Sequence, residues 1–233
     1  MKKLMIAVTI SVITLVFGGF WFVQTRVFAS SEVIYEASTG LLPDQVCPRW
    51  ILIDTATPED PTIANDKLVI STSANSENID YIQTDLAISY PLIIEARVKR
   101  VSGSTISTYR EAITMGFTIK PNGGNAVGNT LYVGNDIIFL ITPSGRGATA
   151  SVDTDDAFHN YRIEVDSNGA VEVYYDDALK LTGTAYSSTS THGLVERIYW
   201  GESSILAFGT SEWELVKHNA GCPSDTYLPI IVR

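Results

Sequence analysis

The stretch Tyr161-Arg162-Ile163-Glu164-Val165-Asp166-Ser167-Asn168-Gly169-Ala170-Val171-Glu172-Val173-Tyr174-Tyr175-Asp176 decides the fold class. Successive side chains of a strand point to opposite faces. Tyr161, Ile163 and Val165 therefore share one face, and Arg162, Glu164 and Asp166 the other. After the turn, Val171, Val173 and Tyr175 share a face opposite Glu172, Tyr174 and Asp176. A three-residue loop Ser167-Asn168-Gly169 sets Val165 against Val171, Ile163 against Val173 and Tyr161 against Tyr175. Gly169 then takes the left-handed position that such a loop needs. Periodicity, register and turn chemistry agree on a β-hairpin. A second tight turn at Asp176-Asp177 leads into a further strand.

The same signature extends outward from the hairpin. Short runs rich in Val, Ile, Tyr and Thr recur, separated by Gly, Pro, Asn, Asp and Ser. Strands are expected near 33–35, 50–54, 67–72, 80–84, 92–100, 112–119, 130–133, 137–142, 149–152, 161–166, 171–176, 178–182, 196–201 and 211–217. No segment after residue 30 sustains a 3.6-residue apolar period. So many strands cannot bury their faces in one sheet, which predicts an all-β, two-sheet antiparallel sandwich or jelly roll. No period of 20–50 residues repeats, which argues against a propeller or solenoid.

Composition narrows the class. The 233 residues carry 16 Lys+Arg against 26 Asp+Glu, a formal net charge of −10, with 45% hydrophobic and 18% charged residues. A disordered chain would be poorer in apolar residues and richer in charge. An acidic surface without a basic block repels phosphate, which excludes nucleic acid as a partner. Two cysteines are too few for a disulfide-rich miniprotein or a four-thiolate zinc site.

The N-terminus reads as an address. Met1-Lys2-Lys3 precedes an uncharged, mostly apolar run from Leu4 to Val23, and Val27-Phe28-Ala29 offers small residues for cleavage before Ser30. Two readings stay open: a cleaved signal peptide over 1–29, or an uncleaved membrane anchor through 4–23. Both place the remainder outside the cytoplasm, secreted or at the cell surface. Loss of 1–29 removes three basic residues and no acid, leaving 13 basic and 26 acidic residues and a net charge of −13. Residues 30–46 read as a lead-in, 47–222 as the jelly-roll domain and 223–233 as a tail of unassigned role.

Three motifs resemble the concanavalin A-like lectin/glucanase superfamily. They look more narrowly like the laminin G-like jelly-roll modules of exported bacterial proteins. The first is Phe158-His159-Asn160-Tyr161-Arg162-Ile163-Glu164-Val165 followed by Val171-Glu172-Val173-Tyr174-Tyr175-Asp176-Asp177-Ala178-Leu179. Asp177 departs from the glycine usual at that turn. The second is Arg197-Ile198-Tyr199-Trp200-Gly201 with Phe208-Gly209-Thr210-Ser211-Glu212-Trp213-Glu214-Leu215-Val216, similar to a closing Gly-x-Ser-x-Trp-x-x-Val strand. The third is Leu92-Ile93-Ile94-Glu95-Ala96-Arg97-Val98-Lys99. The resemblance implies that the first and last strands lie side by side. With an oxidising compartment it also implies a Cys47–Cys222 disulfide around the domain. Closing about 175 residues would contribute on the order of 4–5 kcal/mol in the chain-entropy model.

Candidate chemistry follows from residue type. Hydrolases of this superfamily carry alternating acids on one strand, acting as nucleophile and acid. Glu164-Val165-Asp166 begins such a motif, but Gly169 stands where its last Glu belongs. The expected register does oppose Glu164 and Glu172, an alternative catalytic pair, with Arg162 close enough to screen them. No Gly-x-Ser-x-Gly elbow occurs, and His159, His192 and His218 lack metal-ligand spacing. Asp153, Asp155 and Asp156 form an oxygen-rich loop that calcium could use, although acidic loop tips are commonly just solvated. Sugar C–H groups stack on exposed aromatic rings. Tyr132, Tyr174, Tyr199 and Trp200 are the candidates for a glycan or other surface ligand, while Trp50 and Trp213 read as core. The leading expectation is a noncatalytic lectin-like module. The alternatives are a polysaccharide hydrolase or lyase, and a surface adhesion module.

Overall fold

The computed structural model describes residues 32–46, 48–54, 60–73, 77–105, 110–187, 195–204 and 206–221. Fifteen strands appear in chain order: β1 (Val33–Glu36), β2 (Ile51–Asp54), β3 (Thr62–Ala64), β4 (Lys67–Thr72), β5 (Ile79–Gln83), β6 (Leu92–Thr105), β7 (Ile113–Ile119), β8 (Val127–Gly134), β9 (Ile137–Thr142), β10 (Gly145–Ser151), β11 (His159–Val165), β12 (Ala170–Tyr175), β13 (Ala178–Thr184), β14 (Arg197–Glu202) and β15 (Ala207–His218). They build two antiparallel sheets that sandwich one core. The eight-stranded sheet runs β13-β12-β11-β6-β15-β4-β3, with β1 also on β15. The seven-stranded sheet runs β10-β9-β8-β7-β14-β5-β2. Among the described residues no helix is long and apolar enough to cross a membrane.

The hairpin has the register that its alternation requires: Tyr161 opposes Tyr175, Ile163 opposes Val173, Glu164 opposes Glu172 and Val165 opposes Val171. Gly169 has φ +83°. Asp166 closes the loop, accepting backbone N–H bonds from Asn168 and Ala170, both at 2.8 Å. A strand of only three residues, β3, was not legible, because Thr-Ile-Ala carries too little alternation to stand out.

The first and last strands do pair, as β1 with β15. The stretch 30–46 is thus more than a lead-in: Tyr35 and Ala37 are fully buried in the core. The sandwich begins upstream of residue 47. The strand after Cys47, β2, belongs to the other sheet, where it pairs with β5. Cys47, Cys222, the segment 1–29 and the tail 223–233 lie outside the described residues.

Aromatic residues dominate one end of the core. Trp200 sits 4.9 Å from Tyr81, 4.9 Å from Trp213, 5.6 Å from Trp50 and 5.8 Å from Tyr35, measured between ring centroids. Each such ring buries a large apolar area, and offset or edge-on pairs add to it. Beside this cluster a polar tie crosses between the sheets. Glu202 of β14 accepts hydrogen bonds from Thr72 of β4 and Ser211 of β15, each at 2.8 Å. The Trp213 indole N–H donates to the same Ser211 oxygen at 2.9 Å.

Candidate functional site

Alternation along the seven-stranded sheet sends Ile79, Tyr81, Met115, Phe117, Leu131, Val133, Ile198 and Trp200 into the core. The residues between them face outward. Instead of open solvent they meet a covered surface, where Tyr132, Phe139 and Ile141 form a second, smaller apolar cluster with Tyr186 packed on it. Tyr186 is brought there by its bridge to Gly128, with reciprocal backbone bonds of 3.0 Å. Ser203 folds over the same face and its hydroxyl bonds to Thr114 of β7.

A cavity of about 340 Å³ opens on this outer face. Asp80 and Ile82 of β5, Thr130 and Tyr132 of β8, and Arg197 and Tyr199 of β14 line it, with Arg110, Ser203, Ser204 and Leu206 completing the wall. Tyr132 stacks on Phe139, its pairing partner on β9, with centroids 5.1 Å apart and planes 10° apart. The Arg110 guanidinium lies 5.5 Å from the Tyr132 ring centre, and one of its N–H groups donates to the Tyr132 hydroxyl. Arg197 lies in the same way 5.1 Å from the Tyr199 ring centre. The hydroxyls of Tyr199 and Thr130 share a 2.6 Å hydrogen bond. Cation–π contact of this kind holds a guanidinium in place.

Asp80 is the one carboxylate among the described residues lining the cavity. Burial raises its pKa to about 6, opposed by hydrogen bonds from Ser203 and Asn78 and by the Arg197 charge. Its Oδ2 accepts from the Asn78 amide at 3.1 Å, whereas its buried Oδ1 has no protein partner among the described residues. A buried carboxylate oxygen without a donor costs free energy, and a ligand hydroxyl would relieve that cost.

Two of the four aromatic candidates from the sequence, Tyr132 and Tyr199, meet in this cavity. Neither offers a bare ring face, since their exposures are 4% and 7%. Trp200 is corrected outright. It follows Tyr199 on β14, so it points to the opposite face and is fully buried in the core, where it touches no solvent-borne ligand. Tyr174 is half-buried on the outer face of the other sheet, where Arg162 lies 4.3 Å from its ring centre and its hydroxyl donates to Glu172 at 2.7 Å. The sequence reading missed Asp80, Arg110, Arg197, Ser203 and Ser204. One signal was available: an aspartate in the middle of the apolar run Ile79-Asp80-Tyr81-Ile82, all of which is buried.

The alternative catalytic pair occupies a different place. Glu164 and Glu172 line a second depression of about 420 Å³ with Tyr90, Pro91, Asp166, Ser167 and Ala170. It sits at the hairpin end of the eight-stranded sheet. Arg162 pairs with Glu164 at 3.2 Å, and Tyr174 bonds Glu172, so each glutamate already has a partner. Asp166, Ala170 and Glu172 are exposed there, in contrast to the buried residues of the first cavity.

The acidic loop is rearranged relative to expectation. Carboxylate oxygens of Asp136, Asp153 and Asp155 come within 4.8 Å of one another, so Asp136 takes the place expected for Asp156. Asp156 instead faces His159, whose Nε2 lies 2.7 Å from it, while His159 Nδ1 lies 2.7 Å from Asp176. The trio would give a calcium ion three of the six to eight oxygens it takes. Arg100 stands 3.9 Å from Asp155 and offsets part of that charge.

No protein-family model and no curated protein matches the chain. Solved structures do match. An endo-1,3-beta-glucanase from Streptomyces sioyaensis superposes with a TM-score of 0.53 at 13% identity, over 83% of this chain and 97% of that one. The Crh5 transglycosylase gives 0.51 at 13% identity, over 82% of this chain and 85% of that one. The carbohydrate recognition domain of Emp46p gives 0.50 at 12% identity, over 78% of this chain and 93% of that one. The fold is the concanavalin A-like jelly roll. At such identities the likeness extends to architecture alone, because one fold hosts unrelated sites.

Proposed function

We propose that the protein is an exported carbohydrate-binding module that holds its ligand in the cavity on the outer face of the seven-stranded sheet. The observation that carries this reading is the cavity's wall. Fixed hydroxyls of Thr130, Tyr132, Ser203 and Ser204, two guanidiniums and a carboxylate with an unsatisfied oxygen converge on one space. Sugars present many hydroxyls, and binding sites for them combine a few placed polar groups with aromatic surface. Structures of the same fold include a carbohydrate recognition domain and an endo-1,3-beta-glucanase, which supports a saccharide ligand. The motif likeness to laminin G-like modules and the N-terminal address belong to the same reading.

Retardation in polysaccharide-containing gels, run with and without added calcium, tests the proposal. Slowed migration in at least one polysaccharide, abolished by Asp80→Asn, is the expected result. Unaltered migration in every gel would overturn it. The mass of the exported protein tests the address: a chain beginning at Ser30 defeats the retained anchor.

A hydrolase is the second reading, favoured by the facing Glu164 and Glu172 in their own depression. Glycoside hydrolysis needs two carboxylates flanking one bond. The outer-face cavity has one among the described residues, and Glu202 of the adjacent strand β14 points between the sheets instead. Turnover of a polysaccharide panel that disappears in Glu164→Gln and Glu172→Gln would establish the hydrolase; turnover unchanged in both would exclude these two residues.

A further inference from the structure

We infer that the ligand of the outer-face cavity is amphipathic: a glycan bearing an acyl or alkyl chain, with a sugar hydroxyl donating to Asp80 and the chain lying on Ile51 and Ile53. This rests on the carbohydrate reading above and specifies its chemistry.

The first ground is an inverted strand pair. Residues opposite one another on antiparallel strands share a face of the sheet. β2 pairs with β5 so that Ile53 opposes Asp80 and Ile51 opposes Ile82. Asp80 and Ile82 line the cavity, so both isoleucines of β2 lie on the outer face beside it. Leu52 between them packs on the core. In the pair Ile53–Asp80 the apolar member is 42% exposed and the charged member 8%. Ile51 is 51% exposed. Water alone favours the opposite arrangement. β2 is also the edge of its sheet, where strands ordinarily carry charge or proline, yet it reads Ile-Leu-Ile-Asp. A cover that is apolar over β2 and polar over Asp80 accounts for both departures.

The second ground is continuity. Ile82 opposes Ile51 on one side and Tyr199 on the other, so an apolar row runs from the sheet edge into the cavity. Ile53 and Asp80 form the next row. Neighbouring strands lie about 4.8 Å apart. A hydroxyl at Asp80 and carbons on Ile53 therefore fit within one small molecule.

The third ground is what the wall leaves unmet. Its charges are engaged within the protein: Arg197 acts on Asp80, Arg110 bonds the Tyr132 hydroxyl, and Arg146 on the same face pairs with Glu111 at 3.7 Å. The hydroxyls of Thr130 and Ser203 are engaged by Tyr199 and Thr114. Asp80 Oδ1 is buried and has no partner among the described residues. An ionised carboxylate only accepts, so the ligand must supply a donor. A sugar hydroxyl does so without adding charge. Beside it, each methylene buried on the isoleucines would raise affinity about fourfold.

The test titrates the full exported chain calorimetrically with methyl and octyl β-glycosides of glucose, galactose, mannose and N-acetylglucosamine, each below its micelle threshold. For at least one sugar the octyl glycoside should bind at least about tenfold more tightly than the methyl one. Ile51→Thr combined with Ile53→Thr keeps β-branching and should remove most of that advantage while leaving the methyl glycoside's affinity unchanged. Asp80→Asn should weaken the octyl glycoside about tenfold, the usual cost of losing a charge-assisted hydrogen bond. Unfolding midpoints of all variants keep loss of fold separate from loss of binding, and Ile51→Thr alone suffices if the double variant does not fold. Equal affinity for methyl and octyl glycosides, or an octyl advantage that survives the isoleucine changes, overturns the inference and leaves the carbohydrate reading standing. Octanol binding as tightly as the octyl glycosides overturns it too, because the sugar then contributes nothing. A dimer in light scattering that the isoleucine changes convert to monomer shows a second copy on β2 and also overturns it. Failure of every glycoside ends the inference, while the polysaccharide gels decide the carbohydrate reading separately.

Discussion

The ring of Tyr199 lies across Gly116, the residue opposite it on the neighbouring strand β7. A Cβ at residue 116 would overlap the ring. The vacancy of one glycine therefore lets a tyrosine lie flat on the sheet, place its hydroxyl against Thr130 and carry Arg197 above it.

Gly116→Ala is expected to lift that ring. Overpacking at a buried position costs about 1–3 kcal/mol. Urea unfolding should show that loss, and gel retention should fall further than the stability change explains, because Arg197 moves with the ring. Full retention in a destabilised Gly116→Ala would separate Tyr199 from the ligand.

Trp200 and Tyr174 should behave in opposite ways. Trp200→Ala opens a cavity among Tyr35, Trp50, Tyr81 and Trp213 and is expected to cost about 3–5 kcal/mol. Tyr174→Ala removes a half-buried ring outside the core and should cost under about 1 kcal/mol. Thermal unfolding of the two variants side by side checks the contrast.

Glu202 makes stability depend on pH. Burial between the sheets raises its carboxyl to about 7, opposed by the bonds from Ser211 and Thr72. The folded state then holds a proton that the unfolded state releases from about pH 4.5 upward. Stability from this group is complete below that value and is lost as pH rises to about 7, by at most about 3 kcal/mol. Asp80 acts in the same direction as pH rises to about 6. His218 opposes them, because burial lowers its pKa to about 4 and protonation destabilises the fold as pH falls from 6.5. Glu202→Gln should flatten the stability profile mainly between pH 6 and 7, where Asp80 no longer titrates. An unchanged slope there would mean that Glu202 is ionised in the fold at lower pH.

The turn between β12 and β13 holds Asp176 and Asp177 at φ 46° and 63°, left-handed values that side chains tolerate at a cost. Asp177→Gly relieves that cost and gives up an exposed 3.3 Å pair with Arg162 of little worth. A net gain below about 1 kcal/mol is expected in chemical denaturation.

Most strands were legible because the information in them is local. β4 and β9 have the bounds that their short apolar runs predict, and the Tyr161–Tyr175 register follows from a turn and a period of two. Functional residues were harder to read for the opposite reason. Tyr199 and Trp200 are neighbours of similar chemistry, and nothing in their own stretch says which faces the core. The acids of the Asp153 loop drew attention by proximity in sequence, yet Asp136 joins them and Asp156 turns to His159.

The opening hairpin, with the strands that repeat its pattern, already determined an all-β sandwich, the two faces of each strand and the net acidity. Those properties depend on neighbours one or two residues apart, or on counting. The tertiary structure alone decided what covers the outer face of the seven-stranded sheet. Asp80, Arg110, Tyr132, and Arg197 with Ser203, come from four separate stretches of chain. Their convergence depends on long-range strand pairing, on a glycine opposite a tyrosine and on burial that leaves one carboxylate oxygen without a donor. No local period encodes those contacts, so the fold could be read along the chain while the site had to be read across it.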